Sequence, residues 1–154
     1  MESDIMTCIS CDNDFSEYEI SQTTYWKIFI SEDQELIGRS IIFLKRHCLS
    51  LSELTAEEWF DLHHVVKLYE SALKKSFNAT MFNWSSMMND AYKHKPYNPH
   101  VHWHCRPRYD HEVMFAGEKF VDTDFAHHYK RHTDRKVSAD MQNKIIEEIR
   151  KNIQ

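Results

Sequence analysis

The sequence lacks any apolar run near the roughly 18 residues that a membrane-spanning helix needs, so we expect no membrane partner. Residues 1–14, MESDIMTCISCDND, lack the basic start and the apolar core of a signal peptide. An excess of basic residues is also missing: the net charge is −5 with histidines neutral, which argues against general nucleic-acid binding. We therefore expect a cytoplasmic protein without a nucleic-acid partner.

The composition that is present fits one globular domain over residues 1–154. Apolar residues make up 42% of the chain and charged residues 28%, which is typical of a folded protein with its own core. No internal repeat or low-complexity segment divides the sequence. The four cysteines, in a reducing compartment, are expected to be thiols or metal ligands rather than disulfides.

The most informative stretch is His100–Tyr109, with the sequence HVHWHCRPRY. Its histidines, His100, His102 and His104, alternate with other residues. Alternate residues of a β-strand point to the same face, so the pattern predicts one row of three imidazoles. Pro107 is expected to end this strand because it has no N–H to donate. Such a row can act as nucleophile, proton carrier or metal ligand.

Hydrophobic periodicity predicts an α+β protein with an antiparallel sheet, one long helix and a C-terminal helix. A capping box formed by Thr55 and Glu58 predicts the long helix over 56–77. Ser138 is the predicted N-cap of the second, amphipathic helix, and 118–136 is expected to be irregular. The first two predicted strands form a hairpin. The predicted strands are Thr24–Ser31, Arg39–Arg46, Ala79–Met87, His100–Arg106 and the short Val113–Phe115.

The run HVHWHCRPRY resembles the signature of the histidine triad (HIT) family of nucleotide hydrolases and transferases. It matches the three histidines and the apolar positions between them, and it departs at Arg106, where a second apolar residue is usual. The resemblance covers roughly Cys8 to Tyr109. It implies a HIT-like five-stranded antiparallel sheet with a helix between strands, and a homodimer. It also implies an N-terminal zinc-binding segment at about 1–14 and a C-terminal extension at about 110–154.

The resemblance further implies a nucleotide hydrolase that acts at the α-phosphorus of nucleoside phosphoramidates, dinucleoside polyphosphates or related nucleotidyl conjugates. His102 would be the nucleophile that forms a nucleotidyl-histidine intermediate, and His104 would donate a hydrogen bond to phosphate oxygens or to the leaving oxygen. A histidine at position 104, where transferases of the family carry glutamine, favours hydrolysis over transfer. The implied small-molecule partner is a nucleotide.

Two asparagines are candidate substrate-binding residues. Asn89 lies eleven residues before His100, an offset at which relatives have a glutamine or asparagine that contacts the phosphate or scissile oxygen. A side-chain amide can donate to a phosphate oxygen without adding charge. Asn98 is a second candidate of the same kind. The alternative for Asn89 is a turn residue after a strand.

The spacing of Cys8 and Cys11 is that of a common half of a zinc site. The resemblance to bacterial-type, zinc-containing HIT proteins and to galactose-1-phosphate uridylyltransferases completes the set with His47 and His100. All four positions match, and a site closed by four protein ligands is structural rather than catalytic. In a zinc-free alternative, His47 and His100 form a hydrogen-bonded network behind the nucleophile.

Two other functions stay open. One is a nucleotide-binding module with little turnover. The other is a hydrolase whose catalytic metal is held by all three histidines of the row, which leaves Cys8, Cys11 and His47 unexplained. Basic residues flank the row, and they either favour a phosphate-bearing ligand despite the acidic total or are solvated loop charges. They include Lys93, Lys95, Arg106 and Arg108.

Overall fold

The computed structural model describes residues 8–128 and 134–154. Residues 1–7 of the expected zinc-binding segment, and 129–133 in the C-terminal extension, lie outside the described residues. Within the described ranges, no helix is long and apolar enough to cross a membrane. In chain order the elements are α1 Ile9–Asp12, β1 Glu19–Gln22, β2 Trp26–Ile30, β3 Ser40–Leu44, α2 Ala56–Phe77, β4 Met81–Ser85, β5 His102–Arg108, β6 Val113–Phe115, β7 Glu118–Phe120 and α3 Ala139–Asn152.

Five strands form one antiparallel sheet in the order β1-β2-β3-β5-β4. The predicted hairpin is the β2–β3 pair, in which Trp26 lies opposite Leu44 and Ile30 opposite Ser40. Helix α2 connects β3 to β4, and α3 packs against α2 and β1. The predicted α+β fold, with one long helix between strands and a C-terminal helix, is confirmed.

The fifth strand of the sheet differs from the prediction. It is β1. The predicted strand Val113–Phe115 instead forms a separate hairpin with β7, and β7 lies in the stretch 118–136, which was expected to be irregular. Strand β1 is short, and its register shifts between Glu19 and Ser21, so it carries no clear alternation. The β6–β7 turn uses Ala116 and Gly117, both with positive φ, as a two-residue hairpin turn with right-handed twist requires.

The expectation that Pro107 ends the histidine strand is wrong. Strand β5 runs through Pro107 to Arg108, with Pro107 opposite Phe82 of β4. The reason is that the pairing between β3 and β5 stops at Cys105, opposite Ser40. Beyond that point β5 has a neighbour on one side only, and a proline is tolerated where its missing N–H would have faced away from the ladder.

Helix α2 covers one face of the sheet. Its capping box is confirmed: the Thr55 hydroxyl accepts from the Glu58 N–H at 3.2 Å, and the Glu58 carboxylate accepts from the Thr55 N–H at 2.9 Å. Ser138 is likewise the N-cap of α3, where its hydroxyl accepts from Met141 N–H. The core between α2 and the sheet is mainly apolar, and it includes Trp26, Ile28, Ile42, Leu44, Leu62, Val65, Tyr69 and Leu73.

The opposite face of the sheet carries the histidine row. Strand pairing aligns His104 with Ile41 and Phe29 across three strands, and aligns His102 with Phe43. Paired residues of an antiparallel sheet share a face. The neighbouring residues on β5, such as Trp103, therefore point toward α2.

A fully buried ion pair ties the segment after β7 to the end of β5. The Arg108 guanidinium donates to both carboxylate oxygens of Asp122, at 2.5 and 3.0 Å, and both side chains are almost inaccessible to water. The same carboxylate accepts from the Tyr109 N–H at 3.2 Å. The pair therefore fixes residues of the C-terminal extension against the strand that bears the histidines.

We expect Asp122→Asn to lower the free energy of unfolding by about 3–5 kcal/mol, because Arg108 would keep its buried charge without a counter-charge. Equilibrium unfolding in urea measures this change. The matched control is Glu112→Gln, which removes the exposed ion pair with Lys119 and should cost less than about 1 kcal/mol. Equal losses in the two variants would contradict the anchoring role of Asp122.

Candidate functional site

The imidazole of His102 is held by its own backbone. Its Nδ1 lies 2.7 Å from the carbonyl oxygen of His100. A carbonyl can only accept a hydrogen bond, so Nδ1 carries the proton and Nε2 of the neutral ring carries the lone pair. The ring lies between Phe43, at a centroid distance of 5.4 Å, and His104, at 5.0 Å. This arrangement presents one oriented nucleophilic nitrogen.

His104 is half-buried next to His102. Desolvation, together with the nearby His102, Arg106 and Arg39, lowers the pKa of His104 to about 4. The ring is therefore neutral at pH 7. Its Nδ1 is buried and has no hydrogen-bond partner among the described residues. A buried polar atom of this kind is commonly satisfied by a ligand or water.

A cavity of about 390 Å³ lies on the face of the sheet away from α2, and its wall includes Ile41 and Phe43, which are paired with His104 and His102. Three phenylalanine rings form a continuous series toward His102: Phe15 to Phe29 at 6.3 Å, Phe29 to Phe43 at 5.8 Å, and Phe43 to the imidazole at 5.4 Å. Polar side chains, including Glu32 and Asp33, line another part of the wall. Its size and mixed lining suit a small ligand with one flat apolar part.

The cavity was not foreseen from the sequence, although β2 and β3 contain a signal for it. Strand β3 reads Ser-Ile-Ile-Phe-Leu, with apolar residues at both alternations. A strand that packs on one side only should alternate apolar and polar residues. Ile41, Phe43 and Phe29 are the extra apolar residues, and all three line the cavity.

The four residues expected to bind zinc come together. One ligand atom from each of Cys8, Cys11, His47 and His100 lies within 4.8 Å of all the others. His47 Nδ1 and His100 Nδ1 are 3.3 Å apart, and the sulfur–nitrogen separations are 3.3, 3.5 and 3.7 Å. Standard bond lengths in a tetrahedral zinc site give about 3.3 Å between nitrogens and about 3.6 Å between sulfur and nitrogen. The cluster therefore fits a tetrahedral ion.

Hydrogen bonding also prepares His100 as a ligand. Its Nε2 donates to the carbonyl of Leu44 at 2.7 Å, so Nδ1, which faces the cluster, carries the lone pair. Desolvation lowers the pKa of His100, which keeps the ring neutral. Without a cation, desolvation and the neighbouring Cys8 raise the pKa of Cys11 to about 11. A bound cation reverses that balance by favouring thiolates.

The two candidate asparagines lie in the connection between β4 and β5. Asn89 begins a 3₁₀ turn, Asn89–Tyr92, and is exposed, while Asn98 is half-buried two residues before His100. Asp90 of the same turn is close enough to the row for its charge to act on His104. Both asparagines are thus near the row, and their contact with a substrate stays a prediction.

The sequence-predicted residues divide into two groups around His100. Its imidazole belongs to the cysteine cluster, and its carbonyl holds His102. Phe43 separates the groups on the open face, with centroid distances of 6.0 Å to His100 and 5.4 Å to His102. His102, His104 and the cavity form the second group.

No family model and no protein with a curated description matches the chain. Solved structures do match. A hypothetical histidine triad nucleotide-binding protein from Sulfolobus tokodaii shares 16% identity at a TM-score of 0.65, over 88% of this chain and 83% of that one. A zinc-bound histidine triad family protein from Mycobacterium smegmatis shares 15% identity at a TM-score of 0.55, over 87% and 84%.

A third similar structure is the diadenosine triphosphate hydrolase of Plasmodium falciparum in complex with cyclomarin A. It shares 17% identity at a TM-score of 0.59, over 88% of this chain and 75% of that one. At such identities the likeness shows the fold. The histidine triad fold that the row of histidines led us to expect is thereby confirmed.

The low pKa of His104 predicts a pH-dependent stability. Between pH 6.5 and about 4 the unfolded chain binds a proton at this position that the folded chain does not, so stability falls as pH falls through this window. His104→Gln removes this contribution. Its loss of unfolding free energy between pH 6.5 and 4.5 should be smaller than that of the wild type by about 2 kcal/mol. Urea unfolding at both pH values measures it.

The control for this measurement is His64→Gln, which changes an exposed histidine on α2. It shows how much the same substitution at a position outside the row changes the measured slope. Identical slopes for wild type and His104→Gln would show that His104 titrates normally in the folded protein.

Proposed function

We propose that this protein is a nucleotide hydrolase that acts at the α-phosphorus of nucleotidyl conjugates through a covalent nucleotidyl-His102 intermediate. The observation that carries the proposal is the 2.7 Å hydrogen bond from His102 Nδ1 to the His100 carbonyl, which leaves the Nε2 lone pair as nucleophile on a ring that lies against Phe43 of the cavity wall. The histidine triad fold, which a diadenosine triphosphate hydrolase shares, supports this chemistry.

The nucleoside of the substrate would occupy the cavity. Its volume of about 390 Å³ is in the range of small-ligand sites, and the rings of Phe29 and Phe43 offer flat surfaces for a base. Phe43 lies directly beside His102 in the strand register. A base against these rings would bring the attached α-phosphate to the nucleophile, and such positioning is a major part of phosphoryl-transfer catalysis.

The reaction would have two displacements. In the first, His102 Nε2 attacks the α-phosphorus, a P–N bond forms, and the bond to the leaving group breaks; a leaving phosphate departs as its anion, and a leaving amine departs with a proton taken from solvent. In the second, water attacks the same phosphorus, the P–N bond breaks, and the nucleoside monophosphate leaves. The imidazole returns to its neutral form with the proton still on Nδ1. The residue at position 104 favours attack by water over attack by a second phosphate, because transferases of the family carry glutamine where this chain has His104.

His104 would stabilise the charge that develops on the phosphate or leaving oxygen. A buried lone pair without a partner costs less than a buried N–H without one, which favours the proton on Nε2. A neutral N–H donor can bind an oxygen without the desolvation cost of a cation. The amides of Asn89 and Asn98 are proposed as further donors to the phosphate or scissile oxygen.

We propose structural zinc as the cofactor, held by Cys8, Cys11, His47 and His100. Zinc supplies no chemistry to the reaction here; it cross-links the N-terminal segment to the sheet. Because His100 also provides the carbonyl that holds His102, fixing its imidazole helps to fix the nucleophile. A single domain, a homodimer and a cytoplasmic location belong to the same proposal.

The alternative of a catalytic metal held by the whole histidine row has less support. It would need His100 and His102 to direct lone pairs to one ion, yet His100 Nδ1 lies 3.3 Å from Cys8 Sγ, and His102 uses its Nδ1 to bind a carbonyl. A nucleotide-binding module with little turnover differs from the hydrolase only in rate. Measuring binding and hydrolysis on the same preparation separates these two.

We expect His102→Asn to fold normally and to lose turnover by roughly 10³-fold or more, because the covalent nucleophile is gone. The assay is a hydrolysis panel of an adenosine phosphoramidate, dinucleoside polyphosphates and nucleotidyl sugars. His64→Asn is the matched control and should retain wild-type rates. Near-normal turnover by His102→Asn would contradict the covalent mechanism. Nucleotide binding without turnover by the wild type would favour the nucleotide-binding module.

The zinc proposal predicts close to one zinc per chain in protein purified without chelators, measured by mass spectrometry. Cys11→Ser and His47→Asn should each lose most of this zinc, because three ligands hold the ion far less well than four. His64→Asn should retain it. Clearly substoichiometric zinc in the wild-type protein would end the proposal and favour the hydrogen-bonded network of His47 and His100.

A further inference from the structure

The histidine row has different surroundings on its two sides, and this asymmetry carries an inference that rests on the proposed function. On the β3 side, Ile41 and Phe43 lead into the cavity. On the other side lies β4, where Ser85 is the partner of His104. The chain that leaves β4 forms the loop of residues 86–99, which returns to His100. A nucleoside in the cavity therefore has its leaving group directed toward this loop.

The loop comes close to the row. The hydroxyl of Ser86, just after β4, donates to the His102 carbonyl at 2.9 Å, so the loop is tied at its start to the nucleophile's own peptide unit. At its other end the loop runs directly into His100. The Asp90 carboxylate is near enough to act electrostatically on both His102 and His104. Groups on this turn are thus within reach of a ligand bound at His102.

The composition of the loop is unusual for a surface connection. Tyr92 and Tyr97 are 52% and 43% exposed, and neither packs against the hydrophobic core. Their rings lie against each other, with centroids 5.0 Å apart and planes tilted by 46°. The Lys95 amino group lies 5.8 Å from the Tyr97 ring centroid, and Lys93 pairs with Asp90 at 2.5 Å. Two exposed aromatic rings and two lysines are thus gathered in this loop.

We propose that Tyr92 and Tyr97, with Lys93 and Lys95, form a subsite for the leaving group, and that this subsite selects leaving groups that carry a nucleobase on a phosphate chain. A base stacks on aromatic side chains irrespective of its hydrogen-bonding edge. Lysines bind phosphate as mobile point charges. The combination matches a nucleoside polyphosphate, and it offers nothing comparable to a small amine.

The ion pair between Lys93 and Asp90 is compatible with this role. It is exposed, so it contributes little to stability and can be shared with or yielded to a phosphate oxygen. In the free protein the pair holds Lys93 close to the row. The two tyrosines are 52% and 43% exposed, so a base can reach both rings, and the flexible Lys95 side chain that lies over the Tyr97 ring would move aside for a base stacked on that face.

Three substrates with the same adenylyl part test the proposal: adenosine phosphoramidate, adenosine tetraphosphate and diadenosine tetraphosphate. Their leaving groups are ammonia, bare triphosphate and ATP. The Tyr92→Leu/Tyr97→Leu variant should lose roughly 10- to 100-fold in kcat/KM for diadenosine tetraphosphate alone. Changes for the other two substrates should stay within about twofold, because neither has a second base to stack. Tyr92→Phe/Tyr97→Phe, which keeps both rings, should retain wild-type selectivity.

The lysines are tested separately with Lys93→Gln/Lys95→Gln. This variant should lose kcat/KM for both polyphosphates, by an amount that shrinks as salt is raised, and not for the phosphoramidate. Phe60→Leu, which removes a still more exposed ring from α2, is the remote control. Thermal unfolding of each variant checks that the fold is intact.

The outcomes separate the two proposals. Losses that are equal for all three substrates, or absent for diadenosine tetraphosphate, would overturn the subsite. A loss for adenosine tetraphosphate equal to that for diadenosine tetraphosphate in the leucine variant would overturn base stacking. Wild-type protein that hydrolyses only the phosphoramidate would overturn the subsite and leave the hydrolase standing. Wild-type protein that hydrolyses none of the three, nor the nucleotidyl sugars of the wider panel, would overturn the proposed function itself.

Discussion

The site depends on one short contact, the hydrogen bond from His102 Nδ1 to the carbonyl of His100. Two neighbouring imidazoles on one strand could exchange tautomers freely in water. Here each is fixed by a backbone carbonyl, and in opposite senses: His100 donates from Nε2 to Leu44, and His102 donates from Nδ1 to His100. The lone pair of His100 consequently faces the cysteines, while that of His102 is left for a substrate. Main-chain geometry, which side-chain substitution disturbs little, thus assigns different chemistry to identical residues.

The second consequence concerns the open face of the sheet. Helix α2 covers one face, and on the other Phe29, Ile41 and Phe43 remain beside a cavity instead of a second helical layer. Apolar surface left in this position forgoes burial worth roughly 25 cal/mol per Å². A bound base would recover part of it, which makes the cavity more than a packing defect. The same reasoning explains why β3 does not alternate between apolar and polar residues. A strand whose two faces are both apolar is stable only when something packs against each face.

How much of this could be predicted from the sequence depends on whether the controlling interactions are local. The capping box at Thr55 and Glu58 and the alternation of the row are local patterns, and both predicted their elements. The sheet's fifth strand was missed because β1 is held by pairing with β2, not by its own pattern, and Pro107 was misjudged because its tolerance depends on where β3 stops. The zinc set came from resemblance, since nothing near His47 in sequence relates it to Cys8. The cavity depends on register across three strands, which no single segment encodes.

The charge balance of the site shows why neutral donors matter in this protein. The chain carries a net charge of −5, and Asp90 lies near the row, so an anionic substrate meets an unfavourable long-range field. Arg39 and Arg106 oppose it locally, and with desolvation they keep His104 neutral. A neutral imidazole can bind a phosphate oxygen while its own desolvation cost stays low. Under the proposed function, discrimination would arise from placed N–H groups and stacking surfaces, which salt screens weakly. The net charge and the exposed lysines of the β4–β5 loop would both make binding sensitive to ionic strength, in opposite directions.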